Sequence, residues 1–141
     1  MRVVLDTSVV AAGLRSQLGA SNLILMAVAE GRFQPLVSTA MFLEYEAVLM
    51  RAEQRLATGM SEDDVQGFLA ALASAAQPVE ISFSWRPQLR DPSDESILEA
   101  AVNGQAVAIV THNVRDFDPG ASRFDIRVLT PRGFLKEIRK P

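Results

Sequence analysis

The chain contains no cysteine, so disulfide bonds and thiolate metal sites are excluded. Histidine is almost as scarce: His112 is the single one, which leaves no Cys/His ligand set for zinc. We expect that side chain to have an ordinary hydrogen-bonded role. No apolar run is long enough to span a membrane, and residues 2–5 begin a strand rather than a secretory signal. We therefore expect a cytoplasmic protein with no membrane partner.

A strong positive charge is missing too. The formal net charge is −3 over 141 residues, which is not the balance of a protein that holds nucleic acid by bulk charge. All but two of the 14 basic residues are arginine, however, and arginine suits bidentate contact with phosphate. The local arrangement of charge must therefore decide whether nucleic acid binds. Hydrophobic residues make up 48% of the chain, enough for a full core, and residues 1–141 are predicted to form one domain.

Short apolar runs alternate with helical patterns along the chain. The predicted strands are Val3–Asp6, Pro35–Ser38, Val79–Phe83, Val107–Thr111 and Ile126–Leu129. The predicted helices are Ser8–Leu14, Ser21–Glu30, Thr39–Glu53, Glu62–Ala75, Pro92–Val102 and Gly133–Ile138. Most of the strands are continuously apolar, which predicts an α/β fold with a mostly parallel sheet covered on both faces. In such sheets the functional crevice lies outside the carboxyl ends of the strands.

Acidic residues follow the predicted strand ends or begin the helices beside them. They are Asp6, Glu44, Asp94 and Asp116. Several carboxylates brought together repel one another, and some stay protonated unless a cation is present. Hard divalent cations such as Mg²⁺ or Mn²⁺ prefer oxygen ligands and retain several waters. The pattern therefore indicates a carboxylate metal site suited to phosphodiester hydrolysis.

Each acid also has a simpler interpretation. Asp6 is a good helix N-cap, although Thr7 and Ser8 can cap that helix in its place. Asp91 precedes Pro92, which fits the first helical position, so we interpret Asp91 as an N-cap that supports the site. Glu44 and Glu46 both have apolar neighbours at helical spacing, and the period alone does not separate them. Asp116 and Asn113 lie on one side of a helical turn, which is equally typical of an exposed polar turn.

Four segments in order resemble the PIN-domain family, in the group that includes the VapC-type toxins of toxin–antitoxin systems. They are VVLDTSV, VSTAMFLEYEAVL, RDPSDESILEAAV and AIVTHNVRDF, and the resemblance spans nearly the whole chain. The resemblance implies a three-layer α/β/α sandwich with a mostly parallel central sheet. It further implies a Mg²⁺- or Mn²⁺-dependent ribonuclease that hydrolyses single-stranded RNA.

The resemblance also implies which residues form the site. The catalytic and metal-binding acids are Asp6, Glu44, Asp94 and Asp116, with Glu44 favoured over Glu46. Thr7, Ser8 and Thr111 match hydroxyl positions that the family uses around the site, although capping explains them equally well. Asn113 stands where many members carry aspartate. Its amide oxygen can coordinate a metal but brings no charge, so Asp116 is the preferred fourth acid.

RNA that reaches an acidic centre needs basic groups at its rim. Arg15, Arg90 and Arg115 lie near the site segments and are the candidates for phosphate contact, with Arg86 as a further one. Trp85 and Tyr45 are candidates for base stacking, although packing is the commoner role of an aromatic side chain. Of the two, we expect Trp85 to be the more exposed.

The resemblance implies two protein partners, a cognate antitoxin and a second copy of the chain in a homodimer. Two other functions compete. An aspartyl-phosphate phosphotransferase needs a second aspartate two residues after the nucleophile, and position 8 is serine. A PIN-like module that binds nucleic acid or protein without cleaving it stays open, because Asn113 departs from the family pattern.

Overall fold

A computed structural model describes residues 1–84 and 86–139. Trp85, the candidate for stacking, therefore lies outside the described residues. The described part contains a five-stranded parallel sheet in the order β3-β2-β1-β4-β5. The strands are β1 (Arg2–Leu5), β2 (Gln34–Val37), β3 (Gln77–Pro78), β4 (Ala108–Val110) and β5 (Arg127–Leu129). The predicted α/β class and parallel sheet are confirmed.

Both faces of the sheet are covered. Val3, Val4 and Leu5 are all buried, as are the three residues of β4, Ala108–Val110. Successive side chains of a strand point to opposite faces, so an unbroken buried run requires packing on both sides. The result is the predicted three-layer α/β/α sandwich. The buried aliphatic residues explain why these segments form the centre of the sheet, because branched side chains pack well on a pleated surface.

Helices connect the strands and supply the outer layers. They are α1 (Thr7–Arg15), α2 (Ala20–Ala29), α3 (Thr39–Leu49), α4 (Ala52–Thr58), α5 (Glu62–Ala75), α6 (Pro92–Asn103), α7 (Val114–Ala121) and α8 (Pro131–Ile138). Several begin at the caps that the sequence predicts. Ser61, for example, forms a capping box with Asp64 at the start of α5. No helix among the described residues is long and apolar enough to cross a membrane.

Two predicted elements were wrong, and one helix was missed. Val79–Phe83 is not a strand, because β3 comprises only Gln77–Pro78. The Val79 amide donates to the Val37 carbonyl, and the chain leaves the sheet after this residue. The predicted helix Thr39–Glu53 is two helices, because Arg51 has an extended backbone between α3 and α4. Helix α7 was not predicted, since it contains Pro119, which removes a backbone donor from the helix.

The first strand, β1, lies at the centre of the sheet, between β2 and β4. The Asp6 amide donates to the Val110 carbonyl (2.9 Å), which extends the pairing of β1 with β4 past the end of β1. This bond fixes the backbone of Asp6 beside Thr111, the residue that follows β4. The carboxyl ends of β1, β2 and β4 therefore lead into α1, α3 and α7 at one edge of the sheet.

Candidate active site

Asp6 is held by two hydroxyl groups from different elements. Ser8 Oγ and Thr111 Oγ1 both donate to Asp6 Oδ2, at 2.8 and 2.7 Å. Asp6 occupies the N-cap position of α1, but its side chain makes no capping hydrogen bond. Only 7% of Asp6 is exposed, and the two donors offset the cost of burying a carboxylate. The simple capping interpretation of this side chain was therefore wrong.

Thr7 makes the corresponding contact with Glu44. The buried hydroxyl Thr7 Oγ1 donates to Glu44 Oε2 at 3.0 Å, which joins the first turn of α1 to α3. The hydroxyls of Thr7 and Ser8 bond acids, so the expectation that they cap α1 was wrong as well. Glu46 instead accepts a bond from Gln66 at 3.0 Å on the exposed surface. The structure thus separates two glutamates that the helical period could not.

Tyr45 is fully enclosed beside these acids. Its side chain is 1% exposed, and its hydroxyl donates to the carbonyl of Leu5, the residue before Asp6. Burial, and then the charges of Asp6 and Glu44, raise the pKa of the Tyr45 hydroxyl far above its ordinary value. Tyr45 is therefore a neutral core donor, as the packing interpretation predicts, and base stacking is excluded for it.

Asp91 and Asp94 stand at the beginning of α6. Asp91 Oδ1 accepts from the Ser93 amide at 2.9 Å, and Pro92 takes the first helical position, so the predicted N-cap is confirmed. Asp94, two residues into the helix from Pro92, is half-buried. Burial, and then the charges of nearby carboxylates, raise the pKa of Asp94 from 3.8 to about 7.

The carboxylates that act on Asp94 identify its neighbourhood. In decreasing order of effect they are Asp6, Asp91, Asp116 and Glu44. The structure therefore brings all four predicted acids into one electrostatic environment at the carboxyl edge of the sheet. Asp116, in the first turn of α7, is exposed. The charges of these neighbours oppose ionisation of Asp94, and a bound cation would relieve that effect.

The residues after β4 form a short polar network. Thr111 Oγ1 accepts from the Asn113 amide at 2.9 Å while it donates to Asp6. Asn113 itself is exposed at the N-cap position of α7 and makes no side-chain capping bond. His112 Nε2 lies 3.1 Å from Ser21 Oγ, which agrees with an ordinary hydrogen-bonded role.

A cavity of about 730 Å³ adjoins Asp94 and Asp116. Residues 87–91 form one wall, and Asp94, Arg115, Asp116 and Pro119 complete the lining. Arg90 and Arg115 are thus placed beside the acidic residues. The other arginine candidates are engaged elsewhere: Arg15 donates to Gln54 Oε1 at 2.9 Å, and Arg86 forms an ion pair with Glu99.

The acids fit a hard divalent cation for two reasons. All of them offer carboxylate oxygen as a ligand. The negative charges around Asp94 also oppose its ionisation, and a cation would offset them. Among the described residues, however, no three acidic or histidine side chains converge closely enough to form a metal-binding group. The donor types and charges therefore match the predicted site, whereas the side chains do not stand as a complete ligand set.

Two buried polar residues escaped the sequence analysis. Glu95 is 4% exposed and accepts hydrogen bonds from the amides of Gln88 and Leu89. Gln54 is 5% exposed and donates to the Ala11 carbonyl at 2.9 Å, which ties α4 to α1. No pattern in the sequence marks either residue, because both have their partners in distant or irregular segments.

Comparisons with known proteins agree with this geometry. A chain of the VapBC2 complex from Rickettsia felis, crystallised with a DNA fragment of its promoter, has a similar fold, with a TM-score of 0.63. The two chains are 14% identical, and the match covers 92% of this chain and 98% of the other. No curated protein matches the sequence. A family model described as PIN domain matches residues 2–115, one residue short of Asp116. The chain belongs to the PIN-domain family.

Proposed function

We propose that the protein is a metal-dependent endoribonuclease that hydrolyses phosphodiester bonds of single-stranded RNA. The observation that carries the proposal is the shared environment of Asp6, Glu44, Asp94 and Asp116 at one edge of the sheet. Four acids with mutually unfavourable charge are costly for a structural surface. They are suited to a divalent cation, and phosphodiester hydrolysis is the chemistry for which such a cation is most useful.

The proposed acids have different tasks. Asp6, Asp94 and Asp116 would hold Mg²⁺ or Mn²⁺, and Glu44 would orient the attacking water or hold a second ion. When bound, the cation supplies an activated water and stabilises charge on the leaving oxygen. The protein positions these groups in advance. Thr111 and Ser8 fix the Asp6 carboxylate, and Thr7 fixes that of Glu44.

Arginine side chains would guide RNA to this acidic centre. Arg90 and Arg115 line the cavity next to Asp94 and Asp116, which supports their proposed contact with phosphate. Arg15 would act farther out, because its guanidinium already bonds Gln54. The net charge of the protein is negative, so RNA binding would depend on these local cations and on the bound metal.

We further propose that the nuclease is the toxin of a toxin–antitoxin pair in the cytoplasm. The similarity of fold to a chain of VapBC2 supports a cognate antitoxin as partner. A homodimer is the proposed assembly. Leu43 on α3 and Leu56 on α4 are largely exposed apolar side chains, which supports a protein contact on this side of the molecule.

The alternative is a PIN-like module that binds nucleic acid or protein without cleavage. Two observations favour it. Asn113 is exposed and uncharged, and the described acids do not form a complete ligand set. A cation that binds only together with RNA would reconcile both observations with catalysis, so cleavage has to be measured directly.

The test compares wild type with Asp6→Asn and Asp63→Asn on a mixed-sequence RNA. Asp63 is an exposed carboxylate in α5 and controls for the loss of one charge and for contaminating nucleases. We expect cleavage by wild type and Asp63→Asn with Mn²⁺, and a loss of at least about 100-fold in Asp6→Asn. Chelation by EDTA should abolish cleavage, and the melting temperature of Asp6→Asn should change little.

Two results would decide against the proposal. Full activity of Asp6→Asn would remove Asp6 from the catalytic site. Wild type that binds RNA but leaves it intact with either metal would establish the non-catalytic alternative.

A further inference from the structure

The cavity beside the acids has one wall made by an irregular segment. We call residues 87–91 the cavity loop. This segment ends at Asp91, the N-cap of α6, and it has no regular secondary structure. An irregular wall must be held by specific bonds if it is to keep a defined shape, because it has no helix or sheet ladder of its own.

Glu95 supplies those bonds. Its Oε1 atom accepts from the Gln88 amide at 2.6 Å and from the Leu89 amide at 2.8 Å. The residue is 4% exposed, and a buried carboxylate is unfavourable unless it is well bonded. Bonds from N–H to an ionised carboxylate are about twice as strong as neutral ones. Glu95 therefore anchors the cavity loop to α6.

The cavity loop also packs tightly against α7. A Cβ atom on Gly120 would meet Leu89 Cδ2 at 2.7 Å, so the glycine lets the Leu89 side chain lie close to α7. Arg123, in the turn after α7, donates to the side-chain oxygen of Gln88. The loop is thus fixed from both α6 and α7. Its Leu89 side chain is half-buried between the core and the cavity.

Away from the carboxylates Asp91, Asp94 and Asp116, the lining contains two other kinds of surface. Pro87, Leu89 and Pro119 are apolar, whereas Arg90 and Arg115 carry positive charge. A nucleotide has the same division, with a flat base that packs on apolar groups and a phosphate that guanidinium groups bind. The cavity volume of about 730 Å³ lies within the range of small-molecule sites, roughly 300–1,000 Å³.

We propose that the cavity is a binding subsite for one nucleotide of single-stranded RNA, next to the bond that is cut. Its base lies on Pro87, Leu89 and Pro119, and its phosphate is bound by Arg90 and Arg115. Glu95 is a positioning residue that holds the wall in place without touching the substrate. The inference rests on the proposed ribonuclease function, to which it adds a source of base preference.

The first experiment maps cleavage ends of a mixed-sequence RNA by sequencing. Leu89→Ala removes apolar contact from the wall, and Leu18→Ala, at an exposed position between α1 and α2, is the control. We expect wild type and Leu18→Ala to prefer one base at one position flanking the cut. In Leu89→Ala that preference should fall by about tenfold, the usual value of a lost apolar contact in a pocket, while other positions keep theirs.

The second experiment separates positioning from general damage. Glu95→Ala should raise the KM for RNA about tenfold, and Glu95→Gln about threefold, because the amide oxygen still accepts both bonds without charge assistance. Turnover of bis(p-nitrophenyl) phosphate, which is too small to need the subsite, should stay unchanged. Hydrogen exchange at the Gln88 and Leu89 amides should be fastest in Glu95→Ala, slower in Glu95→Gln and slowest in wild type. The exposed Glu53→Ala variant is the control.

The milder Glu95→Gln variant keeps the test valid if Glu95→Ala fails to fold. An unchanged base preference in Leu89→Ala, together with a KM within about twofold of wild type in Glu95→Gln, would overturn the subsite. Equal losses on RNA and on the small phosphodiester would also overturn it, because they would place the effect at the catalytic centre.

A failure of the ribonuclease itself is recognisable, because wild type would then cleave neither substrate. In that case the subsite is tested by measuring the affinity of the protein for labelled homopolymeric RNAs, about eight nucleotides long, with EDTA present. The subsite is supported without catalysis if wild type binds the four homopolymers with different affinities and Leu89→Ala binds them equally. Equal binding by both proteins, or no binding, overturns it.

Discussion

Two pairs of acids at the same sheet edge are held in opposite ways. The inner acids, Asp6 and Glu44, accept hydrogen bonds from the hydroxyl groups of nearby residues: two at Asp6 and one at Glu44. The outer acids, Asp94 and Asp116, line an open cavity, and the pKa of Asp94 is raised to about 7. The fold therefore fixes the inner acids before any ligand arrives. The outer acids have unresolved repulsion that a ligand with positive charge can relieve.

This contrast is useful for a site that binds a cation and then RNA. Rigid inner acids cost no ordering at the moment of binding, which is the advantage of preorganisation. Asp94, whose pKa is raised to about 7, would exchange a proton for a cation, so metal affinity should rise with pH. Each of the following predictions perturbs one side of the contrast.

The largest effect on stability should come from Asp94→Asn. The pKa of Asp94 is raised from 3.8 to about 7 in the folded protein. Between those two pH values the folded state keeps a proton that the unfolded state has lost, so stability falls as pH rises. Without metal, Asp94→Asn should be more stable than wild type by about 1–2 kcal/mol above about pH 7, a value reduced for partial exposure.

Urea unfolding of both proteins at about pH 4 and about pH 8 measures this difference. The two should be equally stable at the lower pH, and added Mn²⁺ should stabilise wild type more than the variant. If the free energy of unfolding depended on pH in the same way in both proteins, ionisation of Asp94 would not destabilise the folded state, and the prediction would be wrong. The exposed Asp63→Asn variant should follow wild type throughout.

A smaller effect should follow from Thr7→Val, which breaks the support of an inner acid. The substitution keeps the shape of the side chain but removes the donor to Glu44. We expect a loss of about 1 kcal/mol in stability and of about tenfold in RNA cleavage. Chemical denaturation and initial cleavage rates are the measurements. Thr39→Val, at an exposed position at the start of α3, should change neither quantity, and an equal loss there would refute the specific role of Thr7.

The smallest effect on stability should come from Asp91→Asn. Asparagine caps a helix as well as aspartate, so stability should change by less than about 0.5 kcal/mol. The variant removes one negative charge near Asp94, and the pKa of Asp94 should therefore fall. A carbon-detected NMR titration of the Asp94 carboxyl measures this. Asp91→Ala should lower the same pKa but also lose the cap, and an unmoved pKa in both variants would contradict the coupling.

The strands of the central sheet could be predicted because their signal is local. β1 contains the short apolar run Val3–Leu5, and β4 is short and entirely apolar, which is typical of buried parallel strands. Val79–Phe83 failed because alternation shows only that a strand is feasible. Pairing also needs a partner in register, and this segment leaves the sheet one residue after β3.

The break between α3 and α4 and the anchor of the cavity loop could not be predicted for a different reason. No glycine or proline lies near Arg51, and α4 is placed by Gln54, whose partners Ala11 and Arg15 lie about 40 residues earlier. Glu95 likewise meets its partners in an irregular segment. Side chains whose roles depend on distant backbone groups leave no periodic trace.

That the four acids lie near one another could be predicted, because several of them fall where parallel strands or the helices after them meet one edge. The sequence alone could not choose between Glu44 and Glu46, or decide whether Asp6 was a cap. Those choices depend on hydroxyl groups that only the folded chain brings near, such as Thr111 at Asp6.

The bond between Asp6 and Thr111 joins residues 105 positions apart in the chain. β1 is synthesised before β4, which is one of its two neighbours in the sheet. Contacts between such distant segments form late, because the intervening chain must be ordered before they close. A growing polypeptide thus carries Asp6 without its second hydroxyl partner until Thr111 has been translated. The Asp6 carboxylate therefore reaches its final geometry only after β4 has joined the sheet, later than the contact between Thr7 and Glu44, whose partners are closer in the chain.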